Sequence, residues 1–390
     1  MTMGKTMRKA TDTTTGKKSK AAVTAAVAVA AAAAAALSAG PAAAYPGGAR
    51  AAVFVQTDGV DGNAVVAYSR TADGELHQSG VYRTGGLGGV LDGSAVDHLA
   101  SQGSLTYDRA HGLLYAVNAG SDTVTVFSVR GDKLVRRQIV PSGGDFPVGV
   151  AVHGDLVYVL DALGGGSVQG FRNVHGSLVK VPAWHRSLGL DPAATPQFTH
   201  TPGQLAFTPD GRALVVTTKA GANTIDVFPV GRSGIAARPV VTATPGAVPF
   251  GFTFDARGRL VVTEAGTNSV ATFRVGADLR LTKVSEVATG QAATCWIVRD
   301  GAHVYASNAG SGTLSGLRVG ADGALRAVGT TATGAGTVDA DVSSDGRFLY
   351  AQTGKEGGVD EFRVNPDGSL TRVGSVVVPD AVGGEGIAAS

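Results

Sequence analysis

Three charged residues, Asp161, Lys219 and Glu264, close the same short apolar run in three successive copies of a repeated phrase, where a plain turn calls only for small polar residues. The equivalent position in the other copies holds Thr57, Asn118, Asn308 and Thr353, so all seven are polar. Asn, Asp and Thr favour hairpin links through local hydrogen bonds, which accounts for most of the set but not for Lys219 or Glu264. Two carboxylates and an ammonium gathered in one sector could shift one another's pKa values and serve hydrolysis. In that reading Glu264 or Asp161 acts as general base on water and Lys219 steadies the oxyanion; the alternative is a salt bridge at the rim.

The phrase itself dictates the architecture. It reads LLYAVNAGSDTVTVFSV at 113–129, LVVTEAGTNSVATFRV at 260–275, HVYASNAGSGTLSGLRV at 303–319 and FLYAQTGKEGGVDEFRV at 348–364, with weaker copies at 52–70, 156–173 and 213–230. Each copy is two β-branched or aromatic runs joined by a Gly/Asn/Ser/Thr link, the pattern of a hairpin. A further apolar run precedes most copies and another follows, which makes the unit a four-stranded antiparallel meander. Aligning first strands puts Leu105, Val150, Leu205, Phe252, Ile297, Ala340 and Ile387 in register, at steps of 45, 55, 47, 45, 43 and 47 residues. These are propeller-blade spacings. The first copy lacks a first strand and Gly386–Ala389 is a first strand with nothing behind it, so the expected fold is an all-β, seven-bladed propeller closed by the C-terminal strand.

The same geometry ranks the links. Those from strand 2 to 3, and from strand 4 to the next blade, emerge on one face around the channel mouth. Asn118 and Asn308 there, with His98, His200 and Trp296 in or beside the inter-blade links, are the expected contacts to a small molecule at the central channel. For either histidine an ordinary hydrogen-bonded loop role is the rival. Asp97, Thr294, Thr337, Asp339 and Glu385 lie on the same links. Cys295 starts an inner strand without a neighbouring histidine and reads as a packed thiol. The stretch His185–His200 carries the extra length of the 55-residue step, as a lid over the mouth or as loop decoration.

Residues 1–44 stand apart. Lys17, Lys18 and Lys20 precede an Ala/Val stretch from Ala21 to Leu37, and Ala42-Ala43-Ala44 offers a cleavage site, so 1–44 reads as a signal peptide, 45–390 as the propeller and the destination as extracellular. An uncleaved anchor is the alternative. Without this segment, which holds six of the 33 basic and one of the 31 acidic residues, the chain is mildly acidic. That balance, with no basic stripe, argues against a nucleic-acid partner, and no membrane contact is expected after cleavage. One cysteine excludes an internal disulfide. No metal or cofactor is expected: the eight histidines are scattered, and no phosphate loop or nucleophile elbow is present.

The phrases YAVNAGSDTVTVFSV, TPDGRALVVTTKAGANTIDVFPV and SSDGRFLYAQTG resemble the lactonase-type seven-bladed propellers, including 6-phosphogluconolactonase-like and carboxymuconate-cyclase-like proteins. GQLAFTPDGR and GGEGIAA resemble secreted actinobacterial members. The resemblance covers about Ala52 to Ser390 and implies action on a lactone ring or its ring-opened acid. It also implies a Pro-Arg-His-like or Cys-His-like phrase before an inner strand; the matching stretches read Thr201-Pro202-Gly203-Gln204 and Val248-Pro249-Phe250-Gly251, without the Arg and His. A phosphorylated or multiply carboxylated substrate needs such cations. Two functions stay open: an exported lactone hydrolase, or a non-catalytic propeller that binds a small ligand or a protein.

Overall fold

A computed structural model describes residues 51–390; the signal peptide expected over 1–44 lies outside the described residues. Seven antiparallel sheets form seven blades, each running from an inner first strand to an outer fourth strand. Blade 2 is typical, with strands Leu105–Asp108, Leu113–Asn118, Thr123–Arg130 and Lys133–Pro141. The burial pattern explains the sequence pattern. Second strands are sandwiched between neighbouring blades and buried throughout, as in LLYAVN, whereas outer strands alternate, as in Leu281–Ala288. Blade 4 departs from four strands, because the hairpin Gly234–Ile235 intervenes before its outer strand Val240–Ala243.

The ring closes as the fragments require. Ile387–Ala389 pairs antiparallel with Ala52–Gln56, Val55 opposite Ile387 and Val53 opposite Ala389. Each residue aligned above indeed occupies one register position: Leu105 faces Ala116, Val150 faces Val159 and Ile297 faces Ala306. Buried tyrosines of second strands staple consecutive blades. The Tyr305 hydroxyl donates to the Gly368 carbonyl at 3.0 Å and that of Tyr350 to Gly74 at 2.8 Å, the latter across the closure.

Inner strands of blades 3, 5, 6 and 7 begin with a register shift, between Pro147/Gly149, Pro249/Phe252, Thr294/Trp296 and Thr337/Ala340. Such bulges turn the strand and re-aim side chains where the links enter the axis. The links into blades 2 and 4, whose inner strands carry no such shift, are instead long, 84–104 between blades 1 and 2 and 188–203 between blades 3 and 4, and they touch. The Asp92 N–H donates to Gln197 Oε1 at 3.0 Å, and the Phe198 N–H to the Asp92 carbonyl at 3.3 Å.

Candidate functional site

The link 84–104 does not skirt the channel mouth; its end crosses it. Within a few residues it bonds to blades 3 and 6 and to the links that enter blade 4 and the closing strand. Ser101 Oγ donates to the Val148 carbonyl at 2.9 Å, the Gln102 N–H to Gly203 at 3.0 Å, Gln102 Nε2 to Ile297 at 2.8 Å, and Ser104 Oγ to Glu385 at 2.9 Å. Trp296, expected to meet a ligand, instead anchors this plug: its indole donates to the Ser101 carbonyl at 2.5 Å and its ring lies 5.0 Å from that of Phe250.

Lys219 serves the same plug. Its ammonium is buried and donates to the carbonyls of Ala100 (2.7 Å) and Phe198 (2.5 Å) and to Thr201 Oγ1 (3.0 Å). Three donors meet three acceptors, which leaves none for a substrate oxyanion. Burial pulls its pKa down to about 7, against the charge of Asp97. Around it the axis holds Asp58, Asp97, Asp339 and Glu385, all buried. Desolvation raises Asp58 and Asp97 to about 7 and Asp339 to about 8, and lifts Glu385 well above the usual carboxylate range. These carboxyls also hold the closing strand, the Glu385 N–H donating to Asp58 Oδ2 at 2.8 Å. Cys295, close to Lys219 and Asp97, has its thiol pushed up to about 12 by burial.

The structure does not bring Asp161, Lys219 and Glu264 together. Glu264 is buried and bonded within blade 5 to Lys283 Nζ (3.0 Å) and Ser269 Oγ (3.0 Å), and Glu286 shares both partners. Burial raises its pKa and Lys283 restrains the rise. Asp161 is buried in blade 3 beside Ser167, and desolvation raises it to about 7. No hydrogen bond or ion pair joins any two of the three. The reason is geometric: the ends of the second strands are buried, which holds Glu264 to partners of its own blade and leaves Asp161 Oδ1 without any, and Lys219 stands one residue beyond the aligned position, which Thr218 fills, at the start of the short helix Lys219–Ala222.

Asn118 and Asn308 follow turn chemistry. Both are buried; Asn118 Nδ2 donates to Thr123 and Thr125 hydroxyls (3.0 and 2.9 Å), while Asn308 accepts from Thr294 Oγ1 at 2.6 Å and donates to Thr313 and Ser315. His200 ends the short helix Gln197–His200, with Nδ1 2.9 Å from both the Pro196 carbonyl and Thr199 Oγ1. It borders a cavity of only about 20 Å³ under the 188–203 link.

His98 differs. It lines a cleft of about 560 Å³ over blade 1, with Asp58, Asp61, Arg83, Asp380 and the apolar Val60 and Val382. Every contributor comes from a 2–3 hairpin, a fourth-strand end or an inter-blade link, so the cleft opens on the expected face, beside the plug. His98 Nδ1 is buried without a partner, and desolvation lowers the imidazole pKa, so the ring is neutral at pH 7. Two glycines make the room. A Cβ on Gly383, at φ +79°, would fall 2.0 Å from His98 Nε2, and one on Gly62 would fall 3.2 Å from the Arg83 guanidinium. Sequence reasoning missed Arg83, which ends the outer strand Leu76–Arg83 beside the Asp58–Asn63 hairpin and carries no motif that singles it out.

Beyond the plug the axis is open at the other end, as a cavity of about 310 Å³ whose walls include Gln102, Tyr107, Arg109, Gln204, Phe254 and Asp339. Among the described residues, no three His, Cys, Asp or Glu side chains are grouped as a metal ion would need.

Solved structures share this architecture. A putative 6-phosphogluconolactonase from Bacteroides fragilis is 18% identical over 89% of this chain and 99% of its own, with a TM-score of 0.69. A second, from Bacteroides uniformis, is 19% identical over 88% and 100% (TM-score 0.71). The periplasmic gluconolactonase PpgL of Pseudomonas aeruginosa is 19% identical over 87% and 98% (TM-score 0.69). At such identities the likeness is one of fold. No curated protein matches the sequence. The sequence model of the family described as "Lactonase, 7-bladed beta-propeller" matches residues 64–383, and the chain therefore belongs to that family.

Proposed function

We propose that this protein hydrolyses a lactone in the cleft lined by His98 and Arg83. The observation that carries the reading is a neutral, half-buried imidazole facing a cleft that also holds a guanidinium. A general base works best unprotonated at the working pH, and burial supplies that condition at His98. His98 takes a proton from water as its oxygen attacks the lactone carbonyl. Arg83 opposes the charge that develops on the carbonyl oxygen. Collapse breaks the bond to the ring oxygen, which takes the proton back from the imidazolium and leaves as an alcohol; the carboxylic acid so formed gives its proton to solvent, and the carboxylate stays opposite Arg83 until release.

Membership of the lactonase family and the gluconolactonase-type neighbours support the reaction class. The leader-like sequence of residues 1–44 supports an extracellular site of action. A non-catalytic binding role is the second reading, favoured by the structural employment of Asp161, Lys219 and Glu264. The experiment is hydrolysis of a lactone panel by the wild type and His98→Gln. Turnover that falls by about 10²-fold or more in the variant, with its melting temperature kept, is expected. Equal rates in the two proteins would remove His98 from the mechanism, and ligand-induced thermal shifts without any turnover would establish the binding role.

A further inference from the structure

Twelve large apolar side chains are exposed among the described residues; two of them line this one cleft and three more stand on chain segments bonded next to it. Val60 and Val382, 50% and 64% exposed, belong to its walls. Leu87 and Val90 precede residues whose backbone bonds to the cleft's lining: the Gly88 N–H bonds to the Gly59 carbonyl at 2.8 Å, and the Leu91 N–H bonds to the carbonyl of His98 itself at 2.8 Å. Val377, 80% exposed, continues from Val382 across Gly357, whose Cβ position lies 3.1 Å from Val382 Cγ2 and whose carbonyl accepts the Val378 N–H. The remaining seven, such as Val135, Val179 and Val241, are scattered over the third and outer strands of blades 1 to 5 and border no such cleft. Single exposed valines call for no explanation; a collar of them around a polar floor does.

The inner and outer parts of the cleft thus select for different chemistry. The polar lining is buried Asp58, half-buried His98 and, exposed at the end of its strand, Arg83. The rim is aliphatic. A polyhydroxylated lactone would match the floor and leave the collar in water, whereas a molecule with a polar ring and an aliphatic tail would match both.

Resting on the hydrolytic reading above, we propose that the substrate is a lactone bearing a linear alkyl or acyl substituent. The ring lies against His98 and Arg83, and the chain lies across Val60, Leu87, Val90, Val377 and Val382. Each methylene withdrawn from water onto such a rim strengthens binding by about two- to fourfold, so chain length becomes the readable variable.

The test compares δ-valerolactone, δ-octalactone, δ-decalactone and glucono-δ-lactone on the full chain, for the wild type and a Val60→Ser/Val382→Ser double variant. Binding of the δ-lactams of the same chain lengths, which resist hydrolysis, is measured alongside. The expected result is a kcat/KM that climbs about two- to fourfold per methylene, a parallel climb in lactam affinity, and a flattened dependence in the double variant. Hydrolysis that is independent of chain length, or best with glucono-δ-lactone, overturns the alkyl-chain proposal and leaves lactone hydrolysis standing. Chain-dependent lactam binding with no lactone turned over keeps the collar as a ligand surface and overturns hydrolysis. Loss of both chain dependence and turnover overturns both.

Discussion

Two regions of one face, the plugged axis and the cleft beside it, hold nearly the same inventory of groups and use it in opposite ways. On the axis, Asp97, Asp339, Glu385 and Lys219 are buried with strongly displaced pKa values. In the cleft, His98 is displaced in the same sense, toward its neutral form, by the same cause. What separates them is access to open volume. The Lys219 ammonium is enclosed by three acceptors and Glu385 Oε1, though unpartnered, is buried on the axis, whereas the half-buried His98 ring lines the cleft. A displaced pKa marks burial; a displaced group that also borders open volume marks a place for a ligand.

The sharpest way to break this contrast is Lys219→Met. Removing the ammonium orphans three buried acceptors and leaves Asp97 without its neighbouring cation, a loss of about 3–5 kcal/mol. Urea denaturation should register that loss, while hydrolysis by the remaining folded protein stays within about tenfold of the wild type. His98→Gln should do the reverse. If Lys219→Met instead abolished turnover in a fully folded sample, the plug would belong to the chemistry.

A smaller effect comes from protons. An acid whose folded pKa is raised binds its proton more tightly in the native state, so its stabilisation is complete below the unfolded value near 3.8 and is lost as pH climbs through the folded value. For Asp58 and Asp97 that value is about 7, and for Asp339 about 8. Asp341 and Glu385 face the same cluster and are raised in the same direction. Lys219 works in the opposite direction only above about pH 7, and His98 opposes the carboxyls only below its ordinary 6.5. Stability should therefore decline from pH 4 to 7. Asp339→Asn should flatten that decline by up to about 1.4 kcal/mol per pH unit, the worth of one proton, as measured by denaturant midpoints across the range.

The ring was legible because strand burial writes itself into sequence with single-residue accuracy. Val150 and Ile297 sit in register because every inner strand meets the same two neighbours, and Gly386–Ala389 could only complete Ala52–Gln56. The centre of the face was not legible, for a specific reason. Counting from one first strand to the next revealed the surplus before Gln204 but hid the surplus between Arg83 and Leu105, where no earlier first strand exists to count from. That hidden link is the plug, and it converts Lys219 and Trp296 from mouth residues into its anchors. His98 was visible as a histidine on an inter-blade link. Its partner Arg83 was not, because nothing in the sequence distinguishes an arginine that bends over Gly62 from one that ends an outer strand in solvent.

Glu264 gives the smallest expected effect and the finest discrimination. As the general base of the charged trio, it would lose hydrolysis by orders of magnitude on conversion to Gln. As the structure places it, the carboxylate accepts from Lys283 and Ser269, and Glu286 already holds Lys283 at 2.8 Å and Ser269 at 2.9 Å. In Glu264→Gln the amide oxygen still accepts from Lys283 and the Ser269 hydroxyl can accept from the amide. The partly exposed ammonium also keeps one carboxylate partner in Glu286. The net cost should stay below about 1 kcal/mol, because no buried group loses every partner. Lactone hydrolysis should remain within about twofold of the wild type. A collapse in rate with an unchanged melting temperature would return the chemistry to blade 5 and leave the cleft over blade 1 as a binding surface only.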